Sequence, residues 1–271
     1  MKSRLNLPDN HDGNLWLYQN QGRVVPMHHH AELEFNLITQ GTACYLLAKR
    51  KYQIRRGDLL WLFPAQEHVL IDQSPDFKMW IGVFKPQLID RIVCDTNAQT
   101  LRETNPDGQC NRRLTAATFN RLELVYEEIE AARNQDSLFN TGLAYALLLT
   151  WEKFITTGDN LTGSDVHPAV EKATYLIRDA GAALSIEELA HQAGLSPSRL
   201  SHLFKQQTGV TLLDFRNRQR IERFLQLYGT GQRMKMLTAA LEAGFGSYPQ
   251  FYRVFKKTMG RSPAAYRRDF Q

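Results

Sequence analysis

The last hundred residues contain the same pattern twice, and this repeat limits the possible folds more than any other feature. The first copy runs from Leu189 to Arg216 and the second from Ala240 to Arg267. Matching residues are offset by 50 before the central turn and by 51 after it, so the second turn is one residue longer. Each copy predicts a short helix, a glycine-containing turn and a longer helix with apolar residues at i, i+3 and i+4. This order indicates two helix-turn-helix units.

The segment between the two copies predicts a single connecting helix. Residues 211–228 carry apolar side chains at helical spacing over their whole length. A rigid connector would fix the separation of the two units. Two units that enter successive major grooves on one side of a DNA duplex must lie about 34 Å apart.

The polar face of each longer helix has short or polar side chains near its start and basic ones towards its end. This ordering suits base edges at the start and phosphates further on. In an isolated helix it would be equally consistent with a solvated surface, but its duplication at a fixed spacing favours DNA contact. The residues of these faces are Ser198, Arg199, Ser201, His202, Lys205 and Gln206 in the first unit, and Pro249, Gln250, Tyr252, Arg253, Lys256 and Lys257 in the second.

A family resemblance rests on these residues. The run from Leu189 to Lys205, together with Ala243-Gly244-Phe245, Phe255-Lys256-Lys257, Gly260, Ser262-Pro263 and Tyr266-Arg267, resembles the DNA-binding domain of AraC/XylS transcriptional regulators. The resemblance covers about residues 168–271. It implies binding to double-stranded DNA and control of transcription, usually as an activator that contacts RNA polymerase. Carried over by position, it implies base contacts by Ser198, Ser201, His202, Tyr248, Gln250 and Arg253.

The charge of the chain is unevenly distributed. From His167 onward there are 16 Lys and Arg against 8 Asp and Glu, a net charge of +8, whereas residues 1–166 carry a net charge of −3. This asymmetry predicts that the contact with a polyanion lies in the C-terminal part.

Cysteine usage and hydropathy indicate the compartment. The three cysteines, Cys44, Cys94 and Cys110, are too few and too irregularly spaced for a disulfide framework or a cysteine metal site. The longest apolar run, residues 144–149, is too short to span a bilayer, and the N-terminus lacks the apolar core of a signal peptide. We therefore expect a reduced, cytoplasmic protein that does not contact membranes.

The first 84 residues predict short strands separated by turns. The predicted strands are residues 15–18, 24–25, 33–39, 44–48, 59–63, 69–71 and 78–84. Because no long helical pattern separates them, an antiparallel barrel or a double-sheet roll is favoured over a parallel sheet.

Histidines and a glutamate recur within these strands. If residues 28–34 form one strand, His28, His30 and Glu34 point to the same side, and His68 on a later strand could join them. With Gly22 and Gly41, this spacing resembles the first half of the cupin motif. The second half departs from that motif, because Gln66 replaces the usual glycine and His68 comes one residue early.

Three interpretations of this cluster remain open. The groups could hydrogen-bond a small-molecule effector such as a sugar, as in regulators of the resembling family. They could instead hold Zn, Fe, Ni or Mn, which would indicate a metal sensor or a cupin metalloenzyme fused to a DNA-binding domain. They could also form a surface turn with no ligand. The main prediction is a ligand-responsive regulator that is not an enzyme, and no cofactor is assigned.

Two helices follow the predicted strands. Residues 115–133 and 138–155 have amphipathic patterns and predict an antiparallel hairpin, which would either form a homodimer or pack back onto the barrel. The predicted fold class is α+β. The predicted domains are a cupin-like antiparallel β-barrel at 1–110, the helical hairpin at 111–157, a flexible linker at 158–166 and an all-α double helix-turn-helix domain at 167–271.

Overall fold

The chain folds into two compact units. The computed structural model describes residues 5–20, 29–47, 50–107, 111–161, 163–179, 184–229 and 234–268. Among these, the first unit contains residues 5–20, 29–69 and 73–164, and the second contains residues 70–72 and 165–268. The α+β fold class predicted from the sequence is confirmed, with antiparallel strands in the N-terminal part and helices in the C-terminal part.

The strands fall into two sheets. A six-stranded sheet has the order β1-β7-β2-β5-β8-β9, and a four-stranded sheet has the order β10-β4-β3-β6. The pairs β1–β7, β7–β2, β2–β5, β5–β8, β8–β9 and β3–β4 are antiparallel. The strands are β1 Gly13–Gln19, β2 Leu33–Gln40, β3 Thr42–Leu47, β4 Arg50–Arg55, β5 Asp58–Leu62, β6 His68–Ile71, β7 Lys78–Phe84, β8 Asn111–Arg113, β9 Asp159–Asn160 and β10 Ser164–Asp165.

Three α-helices and one 3-10 helix complete the described part of the first unit. They are α1 Pro86–Ile92, a 3-10 helix Thr96–Arg102, α2 Ala116–Ala131 and α3 Asp136–Thr156. The hairpin of α2 and α3 shares one apolar core with the six-stranded sheet. The Tyr126 ring stacks on Phe35 with 5.2 Å between centroids, and Trp151 meets Trp61 edge to face at 5.5 Å. The hairpin is therefore part of the core of this unit.

The structure corrects the sequence prediction at three places. β4 was not predicted, because four of its six residues are charged or amide side chains, yet Tyr52 and Ile54 point inward and are buried. β8 forms at Asn111–Arg113, where the sequence analysis predicted no strand. Within the predicted linker, β9 pairs with β8, and residues 164–165 join the edge of the four-stranded sheet. The predicted strand at residues 24–25 lies outside the described residues.

The second unit is helical. Its elements are α4 Pro168–Asp179, α5 Ile186–Gln192, α6 Pro197–Thr208, α7 Leu212–Gly229, α8 Met236–Glu242, α9 Tyr248–Met259 and α10 Pro263–Arg268. The repeat predicted from the sequence is confirmed, since α5 and α6 form one copy and α8 and α9 the other. Among the described residues, no helix of the chain combines the length and the apolar character needed to cross a bilayer.

Helix α7 is shared by both copies. Phe215, near its start, contacts Phe204 of α6 with 5.3 Å between ring centroids. Phe224, two and a half turns later, contacts Phe251 of α9 at 4.5 Å and Phe255 at 5.6 Å. All five rings are buried. The connecting helix is thus fixed to each copy by aromatic packing.

The pairing of β5 with β8 includes an ion pair with a buried carboxylate, which allows a stability test. Asp58 is fully buried and accepts hydrogen bonds from Arg113 Nε at 2.7 Å and from the Arg55 amide at 2.8 Å. The hydrogen bond to Asp58 raises the pKa of Arg113. We expect Asp58→Ala to lower the free energy of unfolding by about 2 to 4 kcal/mol, because charged and backbone donors lose their acceptor. Urea denaturation followed by circular dichroism measures this change.

The matched control is Glu152→Ala. Glu152 is exposed and pairs with Lys153 at 2.8 Å on the surface of α3, so its removal should cost less than about 1 kcal/mol. Equal losses in the two variants would contradict the structural role assigned to Asp58.

Candidate effector pocket and nucleic-acid interface

Each longer helix of the repeat begins and ends with the same local chemistry. Ser196 caps α6 by accepting a hydrogen bond from the amide of Arg199, and Ser247 caps α9 in the same way. Both helices end at a glycine in the left-handed region, Gly209 with φ of 80° and Gly260 with φ of 70°. Side chains with a Cβ are strained there, which explains why glycine recurs in both copies.

The sequence-predicted DNA contacts lie on the outer faces of these helices. Exposed positions are Ser198, Arg199, His202 and Lys205 on α6, and Tyr248, Arg253, Lys256 and Lys257 on α9; Ser201 and Gln250 are partly exposed. On the opposite side, Leu200, Phe204, Phe251 and Phe255 are buried in the core. The helices are therefore amphipathic as predicted, with the candidate contacts available to a ligand.

Three of the candidates on α9 already have partners within the unit. Lys257 Nζ donates to Asp214 Oδ1 at 3.0 Å, and this hydrogen bond lowers the pKa of Asp214. Gln250 accepts a hydrogen bond from the Gly246 amide at 3.1 Å through its side-chain oxygen. The Tyr248 hydroxyl donates to the sulfur of Met236 at 3.6 Å. These contacts depend on the tertiary structure, and no sequence pattern indicated them.

A buried polar cluster lies in the first unit. One ligand-type atom from each of His30, Glu34 and His68 lies within 4.8 Å of the others. His30 Nε2 is 3.0 Å from Glu34 Oε2, and the two imidazole rings meet edge to face with centroids 5.3 Å apart. All three side chains are buried. Glu34 belongs to the six-stranded sheet and His68 to the four-stranded one, so the cluster contains side chains from both sheets.

The sequence analysis predicted this convergence but gave a wrong reason for it. Residues 29–34, the described part of that stretch, do not form one strand, because β2 begins at Leu33 and the chain bends at Ala31 and Glu32. His30 Nδ1 bonds to the carbonyl oxygen of Glu32 at 2.9 Å, which closes the bend and turns the ring towards Glu34. His28 and Gly22, which belonged to the same predicted motif, lie outside the described residues.

Two further side chains complete the cluster. Asn36 Nδ2 donates to Glu34 Oε1 at 2.8 Å and lies 3.2 Å from the Tyr45 hydroxyl. The sequence analysis did not select Asn36. Its position two residues after Glu34, on the same face of a buried strand, is the signal that could have identified it.

Burial and the contacts with neighbouring groups shift the pKa values of ionisable residues in the cluster, and for His30 and Glu34 the two effects are opposite in sign. For His30, burial lowers the pKa, but the hydrogen bond and charge of Glu34, with a smaller contribution from Glu32, outweigh it and raise the pKa overall. For Glu34, burial raises the pKa, yet the hydrogen bonds from His30 and Asn36 and the charges of both histidines lower it overall. Burial and the charge of Glu34 raise the pKa of Tyr45. The cluster therefore favours a carboxylate beside a positive charge.

An open cleft of about 500 Å³ lies beside the cluster. His30 forms part of its wall and belongs to the cluster as well. Its lining is mixed, with Ile89, Leu101 and two prolines among the apolar residues and Asp90, Arg102 and Glu103 among the polar ones. Arg102 donates to the carbonyl oxygens of Asp90 and Val93 at the end of α1, which holds this side of the cleft together.

Two family models match the chain. A model described as an AraC-like ligand binding domain matches residues 16–148, and one described as a helix-turn-helix domain matches residues 189–269. The first covers the unit that holds the polar cluster, and the second covers the repeat. Together with the fold, these matches define a DNA-binding transcriptional regulator with a ligand-binding domain.

Several regulatory proteins are similar in sequence to this chain over most of its length. The arabinose operon regulatory protein of Escherichia coli strain K12 is 42% identical over 246 residues, which are 86% of this chain and 79% of that protein. The protein of the same name from Salmonella typhimurium is 34% identical over 243 residues, covering 86% and 82%. The transcriptional activator RhaR of Pectobacterium carotovorum is 23% identical over 257 residues, covering 91% and 87%. The chain belongs to the AraC family of transcriptional regulators.

A solved structure is also similar over most of the chain. ToxT from Vibrio cholerae O395 matches 94% of this chain and 96% of its own at 17% identity, with a TM-score of 0.36. A score of this size supports no functional comparison.

Proposed function

We propose that the chain binds DNA through α6 and α9, with bases contacted near the helix starts and phosphates further on. The proposal is supported by the exposure of the candidate residues on two matching helices with buried aromatic faces. Ser198, Ser201 and His202 on α6 would contact bases, as would Tyr248, Gln250 and Arg253 on α9. Lys205 and Lys256 would contact phosphates. Lys257 would contribute less, because Asp214 already neutralises it, and Arg199 would flank the base-contacting face.

The roles of Arg253 and Lys256 can be separated experimentally. Arg253 has a forked guanidinium that can donate twice to a guanine edge, whereas Lys256 carries a point charge one turn later. We expect Arg253→Ala to cost about 1 to 3 kcal/mol on the preferred site and to relax selectivity at one base pair. Lys256→Ala should weaken binding to all sequences alike and reduce the salt slope by about one. Binding of the full chain to randomised duplexes at two salt concentrations measures both effects.

The control for this experiment is Lys172→Ala. Lys172 is an exposed cation on α4, outside both α6 and α9, and its loss should leave base preferences unchanged. A uniform loss of affinity for Arg253→Ala, with unchanged base preferences, would show that α9 does not contact bases through this residue.

We further propose that the cluster of His30, Glu34 and His68 binds a small-molecule effector that controls the DNA-binding activity. The cluster supports this because its donors and acceptors are buried next to an open cleft. Carboxylate and imidazole groups recognise hydroxyl groups through directional hydrogen bonds. Since the similar proteins from Escherichia coli and Salmonella regulate an arabinose operon, a sugar is the first class of effector to test.

The effector proposal predicts a ligand-dependent gain in stability that requires the cluster. A bound sugar should stabilise the full chain by about 2.7 kcal/mol at a concentration one hundred times its Kd. Glu34→Gln should abolish that gain, because the amide can no longer accept from both neighbours, while basal affinity for DNA stays within about twofold. Thermal unfolding with arabinose and a panel of other monosaccharides, and DNA titrations in parallel, measure the two quantities.

His191→Ala is the matched control, since His191 is exposed on α5. It should respond to the ligand like the wild type. A sugar that stabilises Glu34→Gln as strongly as the wild type would place its binding site elsewhere.

We propose that the chain forms a homodimer through α3. Although α3 packs on the sheet, its outer face exposes Leu138, Tyr145, Leu148 and Ile155. Their spacings of seven, three and seven residues form one stripe with the period of a coiled-coil seam. A second copy of the same helix would cover this stripe, and two copies would let four helix-turn-helix units act on one operator.

The dimer proposal predicts that charge on this stripe weakens self-association. The double substitution of Leu138→Glu with Leu148→Glu should raise the dimer Kd at least about tenfold, or about 1.4 kcal/mol, because four carboxylates would enter an apolar contact. Sedimentation equilibrium measures this value. Leu241→Glu, at an exposed leucine of α8, is the control and should not change it. A wild-type chain that remains monomeric at micromolar concentration would contradict the proposal.

We also propose that the chain activates transcription by contacting RNA polymerase and works in the cytoplasm, where its DNA target lies. The similar RhaR proteins are transcriptional activators, which supports an activating role. A regulatory rather than a catalytic function is supported by the same relatives. The proposed domains are 1–110, 111–157 and 167–271, joined by residues 158–166, of which 159–160 pair with β8. The hairpin packs into the core of the first unit.

A further inference from the structure

The two histidines of the cluster have the same second contact. His30 Nδ1 lies 2.9 Å from the carbonyl oxygen of Glu32, and His68 Nδ1 lies 3.0 Å from that of Gln66. A carbonyl oxygen only accepts hydrogen bonds, so each Nδ1 must carry the hydrogen. In a neutral ring the lone pair is then on Nε2. Backbone carbonyls orient metal-binding imidazoles in this way, with the other nitrogen bound to the ion.

The contact between His30 and Glu34 requires a positive charge. With hydrogen on Nδ1, the neutral His30 ring presents a lone pair on Nε2 to Glu34 Oε2, which is only 3.0 Å away. Two electron-rich atoms at this distance in a buried site must share a cation. A proton on His30 Nε2 would supply this charge for the pair of His30 and Glu34, but it would not involve His68. A metal ion would also explain why His68 lies within reach of both groups.

The spacing of the three groups fits metal coordination. Bonds from a first-row metal to imidazole nitrogen or carboxylate oxygen are about 2.0 to 2.2 Å long. Neighbouring ligands at right angles are then about 3 Å apart and opposite ones about 4.2 Å. His30 Nε2 and Glu34 Oε2 match the shorter value at 3.0 Å, and all three ligand atoms lie within 4.8 Å of one another, so a bound ion requires the widest pair to close by at most about 0.6 Å. Asn36 holds Glu34 Oε1 at 2.8 Å, which leaves Oε2 directed at the histidines.

The structure assigns to His30, Glu34 and His68 a binding site for a divalent transition-metal ion. Two imidazoles and one carboxylate suit Zn²⁺, Fe²⁺, Co²⁺, Ni²⁺ or Mn²⁺, whereas Mg²⁺ and Ca²⁺ prefer oxygen ligands. Three protein ligands leave coordination positions for oxygen atoms from solvent or from a bound molecule. The assignment rests on the proposed effector pocket and refines it, because hydroxyl or carboxylate oxygens of an effector could bind the ion directly.

The test uses the full chain after removal of metals with a chelator. Titration with Co²⁺ should produce visible d–d absorption that saturates at one ion per chain, and Zn²⁺ should displace it while Mg²⁺ should not. His68→Ala and Glu34→Ala should each weaken binding by at least about 100-fold, since loss of an outer contact alone costs about 10- to 100-fold. Asn36→Ala removes such an outer contact and should weaken binding by about 10- to 100-fold while the absorption band is kept.

His191→Ala is the control for binding at surface histidines and should match the wild type. Circular dichroism shows which variants fold. If His68→Ala and Glu34→Ala do not fold, the Co²⁺ titrations of Asn36→Ala and of the wild type decide whether the metal site exists. Absence of saturable Co²⁺ binding by the wild type, or a loss in His191→Ala as large as in His68→Ala, would overturn the assignment. Thermal stabilisation by the sugar panel is measured on metal-loaded samples of the same protein. A chain that is stabilised by a sugar but binds no ion refutes the metal site alone, and one that binds the ion but is stabilised by no sugar refutes the effector proposal alone.

Discussion

The packing of phenylalanines on α7 is the contact on which the DNA-binding unit depends. Phe215 joins this helix to α6, and Phe224 joins it to α9. Because interiors are packed as densely as crystals, these rings allow little rotation of either copy about the connecting helix. With 18 residues, α7 is about 27 Å long at the helical rise. This length is of the same order as the separation of about 34 Å between successive major grooves on one side of a duplex.

The first unit combines a large apolar core with a small group of buried polar side chains. The hairpin closes the core through stacked rings such as Tyr126 on Phe35. Burial of Glu34 with two imidazoles costs free energy that the same volume of apolar side chains would not. Both carboxylate oxygens of Glu34 have hydrogen-bond partners, since His30 contacts Oε2 and Asn36 donates to Oε1. A polar cluster maintained at such a cost, next to an open cleft, is better explained by a ligand than by stability.

Tertiary contacts, as well as the sequence, determine which charged side chains of the DNA-binding unit are paired. Lys256 and Lys257 are adjacent on α9 and both are exposed, yet only Lys257 is paired with Asp214 in α7. Surface ion pairs of this kind contribute little to stability. In the proposed complex with DNA the pair would matter more, because a lysine paired with an acidic residue would release fewer counterions than one that contacts phosphate alone.

Local sequence determined the helices of the repeat, the connecting helix and the hairpin, because helical periodicity, serine caps and glycines at left-handed positions act over a few residues. It also selected His30, Glu34 and His68 by residue type and spacing, although the strand assumed to carry His30 begins only at Leu33. Only the tertiary structure decided the bend at Ala31 and Glu32, the inclusion of Asn36 and the partner of Lys257. It also decided β4, where pairing with β3 outweighs a charged composition. The partner of Lys257 is distant in the chain and leaves no periodic signal in the sequence. The bend and the contact of Asn36 depend on side-chain hydrogen bonds to nearby residues, which the pattern of apolar and polar residues does not record.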